Sequence, residues 1–139
     1  MAASITDFRK ALSALALKRK ITISSWHGAT RRSPNLLELN TEPHPSVLYV
    51  KISNSNPGFW GLTKNQIDRL KENKLDWFAV LLAGDVNNGY LFTKGEVIQG
   101  INNGKFELSN DGDYKVNENT DCEKTHGFKN LEEILNRII

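Results

Sequence analysis

Residues Asp76–Ala83, DWFAVLLA, leave this chain few ways to fold. Seven apolar side chains follow the aspartate without a break. Alternate side chains of a strand point to opposite faces, so as a strand this run cannot leave either face in water. It is far short of the roughly 20 residues that span a bilayer, and no other stretch comes closer. The run therefore predicts a strand in the middle of a sheet, with packed layers on both sides.

The remaining elements supply those layers. Ser4–Lys20 has Ile5, Phe8, Leu12 and Leu15 at helical spacing, with Ser4 or Thr6 able to cap the start. Ile21–Ser25, Asn35–Asn40 and Val47–Ile52 read as strands, separated by a polar segment from Trp26 to Pro34 and a turn at Pro43–Pro45. A loop is predicted over Ser53–Gly61 and a helix from Thr63 to near Asn73. Thr63 with Gln66 has the spacing of a capping box, and Leu62 with Ile67 that of a hydrophobic staple. After the apolar run come a turn at Gly84–Gly89, a strand Tyr90–Thr93 that closes a hairpin, and a short helix Gly95–Gly100. Short outer strands are predicted at Phe106–Leu108 and Tyr114–Val116. Asn117–Gly127 reads as a polar loop and Leu131–Ile139 as a closing helix. At 139 residues this is the length of one domain, residues 1–139, with a real core. The expectation is an α/β fold with a mixed central sheet of about five strands flanked by helices.

Charge is distributed unevenly. Before Asn35 stand seven basic residues, Arg9, Lys10, Lys18, Arg19, Lys20, Arg31 and Arg32, against the single acid Asp7. From Glu107 onward acids outnumber bases eight to four. A basic face for a polyanion fits this pattern, with Lys18, Arg19, Lys20, Arg31 and Arg32 as candidate contacts to DNA or RNA. Lys18–Lys20 equally suit the negative end of a helix dipole. The single cysteine, Cys122, can form no internal disulfide, which fits a reducing cytoplasm. No membrane segment or signal-peptide pattern is read. The three histidines are scattered, and Cys122 with His126 falls far short of a zinc site. His27 is a candidate general base if it lies beside Lys51.

Lys51 is the residue that calls for an explanation. It sits near the end of an apolar strand, where a cation is costly to place without a partner. By alternation it shares a face with Val47 and Tyr49, while Leu48, Val50 and Ile52 take the other.

Four stretches, SPNLLEL, VLYVKIS, GFWGLTKNQIDRL and DWFAVLLAG followed by GYLFTKGEVI, make an order of strand, strand with lysine, loop, helix and strand. That order resembles the PD-(D/E)XK nuclease superfamily, the restriction-endonuclease-like fold, over about two thirds of the chain. The resemblance implies metal-dependent phosphodiester hydrolysis. Two acids would hold Mg²⁺, and the lysine would orient the attacking water or stabilise developing charge. Lys51 fits the lysine position. Asn35 stands where the first acid is expected and Tyr49 where the second is, so no carboxylate is present at either. Gln66 matches a position where some members place a polar residue near the site.

Three functions follow as expectations. One is a catalytically degenerate nuclease-fold protein that binds nucleic acid or a protein partner, with no certain cofactor. Another is an active endonuclease with displaced carboxylates and Mg²⁺. The third is an interaction module or homodimer built on Trp26, Phe59 and Trp60, although Phe59 and Trp60 suit core cover better than a surface patch.

Overall fold

The computed structural model describes residues 3–28, 33–73 and 75–139. Helix α1, Ile5–Leu17, buries Phe8, Leu12 and Ala16 and is capped by Ser4, whose hydroxyl accepts the Asp7 N–H at 3.1 Å. It ends in a Schellman motif. Lys20 adopts the left-handed conformation at φ 61°, while its N–H reaches the Leu17 carbonyl and the Ile21 N–H reaches that of Ala16.

Strands β1 (Ile23–Ser25), β2 (Leu36–Leu39) and β3 (Ser46–Ser53) follow as an antiparallel meander. The chain then leaves the sheet through β4 (Phe59–Thr63) and α2 (Lys64–Lys71) and returns as β5 (Asp76–Asp85), parallel to β3. Strand β6 (Asn88–Thr93) pairs with β5 as a hairpin. Helix α3 (Lys94–Asn102) comes next, then β7 (Glu107–Leu108), β8 (Asp113–Asn117), the single turn α4 (Glu118–Asp121), β9 (Gly127–Phe128) and α5 (Leu131–Ile138). The main sheet has six strands in the order β1-β2-β3-β5-β6-β9, and β4-β8-β7 form a second sheet of three.

The apolar run does what its composition requires. Val80 and Leu82 face a core with α1 and α5, where Phe8, Leu12, Leu48, Val50, Ile134 and Leu135 meet. Trp77, Ala79 and Leu81 face a second core with α2, α3 and the small sheet, containing Tyr49, Trp60, Ile67, Val97 and Phe106. At roughly 25 cal/mol per Å² of apolar surface, two such cores are the main source of stability. The free flank at β9 is closed by Arg137 of α5, whose guanidinium donates to the His126 and Gly127 carbonyls at 2.9 and 2.5 Å.

Three expectations change. Phe59–Gly61 is strand rather than loop, because β8 pairs with it across 54 or more residues of sequence. Segment 117–127 is not an open loop but carries α4, a 3-10 turn at Lys124–His126 and the start of β9. Finally, the capping box forms at Thr93 and Glu96 of α3, not at Thr63 and Gln66. The Thr63 hydroxyl makes no cap bond, and the Gln66 carbonyl oxygen is buried without a hydrogen-bond partner. The staple pair Leu62 and Ile67 is fully buried as expected.

Candidate functional site

Lys51 lies in the row Lys51–Leu81–Tyr90 across β3, β5 and β6. Its stem is half-buried on the face of the sheet that carries Tyr49. Its ammonium stands 5.8 Å from the centroid of the Tyr49 ring. Such a contact is worth about 0.5–1 kcal/mol where water has access. Among the described residues no carboxylate lies within ion-pair distance of it.

Tyr49 is 2% exposed, and its phenol oxygen accepts the Thr63 N–H at 3.1 Å. The side chain thus ties β3 to Thr63, the end of β4 and the residue before α2. Asn35 stands one residue before β2, opposite Val50. Its carbonyl accepts the Val50 N–H at 2.8 Å, and its side-chain amide donates to the Val50 carbonyl at 2.6 Å. Its own N–H turns instead to the Ser33 hydroxyl at 3.3 Å. The side chain therefore replaces a backbone donor and finishes the β2–β3 ladder. Strand pairing sets Leu36, not Asn35, across from Tyr49.

These positions do not fit a divalent cation. Mg²⁺ requires several hard oxygen donors, normally including carboxylates, to offset its dehydration. Here the donors are one neutral amide oxygen and a phenol already accepting a backbone N–H, beside a cation. Among the described residues no group of three or more His, Cys, Asp or Glu side chains is placed to hold a metal ion.

The aromatic patch does not form. Trp26 and Trp60 are 4% and 2% exposed, and the Trp60 indole donates to the Leu82 carbonyl at 3.0 Å. Phe59 alone of the three is exposed, with the Lys115 ammonium 5.7 Å above its ring. His27 is exposed and follows β1, two strands from β3, so it is not beside Lys51. Burial, with Asp121 and Glu118 nearby, pushes the Cys122 thiol up to about 12. A thiol held protonated is neither nucleophile nor ready metal ligand.

The basic candidates are divided. Lys18, Arg19 and Lys20 are exposed at the far end of α1, and the Arg19 guanidinium donates to Asn136 at 2.8 Å. They precede Ile23, which stands level with Leu39 and hence with Ser46. Lys51 is five residues further along β3, about 16 Å at strand rise. The cluster and Lys51 thus lie toward opposite ends of the sheet. Arg31 and Arg32 fall outside the described residues.

Two features were not visible in the sequence. One is a carboxylate latch, in which Glu118 accepts the Gly58 N–H at 2.6 Å and the Tyr90 hydroxyl at 2.5 Å. Tyr90 in turn packs edge-on to Trp60 with ring centroids 6.0 Å apart. The latch fixes the loop that follows Lys51. The other is a 270 Å³ cavity lined by Glu96, Asp121, Glu123, His126 and neighbours. There His126 stacks on Phe92 at 4.1 Å, with one ring nitrogen 2.8 Å from Glu96 and the other accepting the Glu123 N–H. Both nitrogens are thereby engaged, so the imidazole has no free lone pair to offer a substrate or a metal.

No family model matches the chain, and no curated protein matches it in sequence. Among solved structures it is similar to Hjc, a Holliday junction resolvase from the archaeal hyperthermophile Archaeoglobus fulgidus. The likeness has a TM-score of 0.53 at 13% identity and covers 93% of this chain and 98% of the other. Together with the mixed six-stranded sheet and its flanking helices, it bears out the restriction-endonuclease-like fold of the PD-(D/E)XK nucleases.

Proposed function

We propose that this chain is a nuclease-fold protein that binds nucleic acid without cutting it at the positions around Lys51. The observation that carries the reading is the use made of Asn35 and Tyr49. Each spends its polar group on a backbone partner, Val50 or Thr63, and neither offers negative charge. Lys51, Asn35, Tyr49 and Gln66 then mark a degenerate site. The seven basic residues before Asn35 supply the attraction for phosphates. Support also comes from the resolvase fold, since that neighbour is named for acting on Holliday junctions.

The test is a pair of measurements. Supercoiled and single-stranded DNA are incubated with the protein in Mg²⁺ or Mn²⁺, and binding to labelled oligonucleotides is followed by anisotropy over a salt series. Binding that weakens steeply with salt, without cleavage, is expected. Cleavage that disappears in Lys51→Ala would overturn the reading in favour of an active endonuclease with displaced carboxylates. No binding even at low salt would favour the protein-interaction module.

A further inference from the structure

We infer that the sugar–phosphate backbone of a nucleic-acid strand docks along the first half of α1, in a groove between that helix and the start of β2. The inference rests on the nucleic-acid reading above and says where the strand lies.

The groove encloses about 360 Å³ and is lined by Ile5, Thr6, Arg9, Lys10, Ser13 and Pro34. Thr6, Arg9, Lys10 and Ser13 fall at i, i+3, i+4 and i+7, one stripe of a helix whose other side buries Phe8, Leu12 and Ala16. Arg9 is half-buried, and its guanidinium donates to the Ser25 hydroxyl at 3.0 Å. One donor nitrogen is thereby pinned while the rest of the fork is left for a ligand. Lys10 is exposed beside it. Among the described residues neither cation has a carboxylate within ion-pair distance. Asp7 is the acid of this helix half, and it does not line the groove.

The lining matches a strand backbone in its chemistry. A guanidinium, an ammonium and two hydroxyls are donors suited to phosphate oxygens. Ile5 and Pro34 give the sugars apolar contact. Among the described residues no aromatic ring lines the groove, so none of them stacks a base there. The groove also sits elsewhere than the two sites suggested by sequence. It lies on the α1 face of the sheet, whereas Lys51 is on the other face. Along α1 it is nine residues from Lys18, about 14 Å at helical rise.

The measurement compares two charge-matched double variants by anisotropy with a fluorescein-labelled duplex across a salt series. Arg9→Gln/Lys10→Gln is expected to lose tenfold or more at low salt. Its slope of log K against log salt should become shallower by about 1.8, the loss of two phosphate contacts. Lys124→Gln/Lys129→Gln, exposed lysines outside the basic N-terminal third and with the same loss of charge, is expected to lose less than threefold. Equal losses in the two variants would overturn the inference and leave the nucleic-acid reading standing. A wild-type protein that binds no nucleic acid at low salt would overturn both. Should loss of the Arg9–Ser25 bond unfold the double variant, the exposed Lys10→Glu replaces it, and wild-type affinity in that variant would overturn the groove.

Discussion

The Tyr49 hydroxyl accepts the Thr63 N–H at 3.1 Å, which spends a phenol from the sheet on the entry to a helix. Thr63 does not cap α2 with its own hydroxyl; Tyr49 and the Gly112 carbonyl, which accepts the Lys64 N–H at 3.0 Å, hold that helix end. Tyr49→Phe removes the acceptor and leaves a half-buried N–H unpaired. It should cost about 1–3 kcal/mol in urea unfolding, with the slope of the transition unchanged. A loss below 0.5 kcal/mol would mean that water replaces the phenol.

Asn35→Asp puts a carboxylate where an amide donates to the Val50 carbonyl at 2.6 Å. The donor is lost and two acceptors face each other. A destabilisation of about 1–3 kcal/mol is expected near neutral pH, read from the urea midpoint. A more stable variant would contradict the assigned hydrogen bond.

Lys20 holds the left-handed cap of α1 at φ 61°, a conformation that glycine adopts without steric cost. Lys20→Gly should therefore stabilise the fold by about 0.5–1 kcal/mol, net of the extra freedom glycine gives the unfolded chain. Thermal unfolding of the two proteins side by side decides it, and a destabilised glycine variant would refute the cap.

Burial, with the Glu118 carboxylate beside it, pushes the Tyr90 phenol well above its ordinary value near 10. In the folded state the phenol keeps its proton to higher pH than in the unfolded chain. This contribution to stability is fully present below pH 10 and declines as pH rises above it. The difference between the 295 nm absorbance titrations of the wild type and Tyr90→Phe should show the Tyr90 phenol ionising well above pH 10 or only as the protein unfolds. Glu118→Gln should bring that tyrosine down.

Glu96 behaves in the opposite sense. Burial favours its neutral form, but the Thr93 N–H and the His126 ring outweigh it and hold the carboxyl below its ordinary value. Its contribution is present above about pH 4.5 and is lost as pH falls through the lowered value. Melting temperatures between pH 3 and 6 should fall more steeply in the wild type than in Glu96→Gln. Parallel curves would exclude the linkage.

The elements legible in the sequence were those written in local pattern. The run at Asp76–Ala83 announced its central place because no amphipathic alternative exists for it, and β5 does lie between β3 and β6. The face shared by Tyr49 and Lys51 followed from strand alternation alone. What stayed hidden depends on partners distant in the chain. Phe59–Gly61 has the glycine-rich look of a loop until β8 arrives to pair with it. Thr63 and Gln66 satisfy the capping spacing, yet Tyr49 reaches the Thr63 N–H from another strand, a competition that spacing cannot register. The sequence likewise marks Lys18–Lys20 as the densest basic run. Only the pairing of β1 with β2 and of β2 with β3 places it at the far end of the sheet from Lys51.

Arg137 gives the molecule a polarity of another kind. By occupying the His126 and Gly127 carbonyls, it denies an incoming strand the acceptors that would seed its attachment. Strand addition at that flank would first have to displace a guanidinium fork.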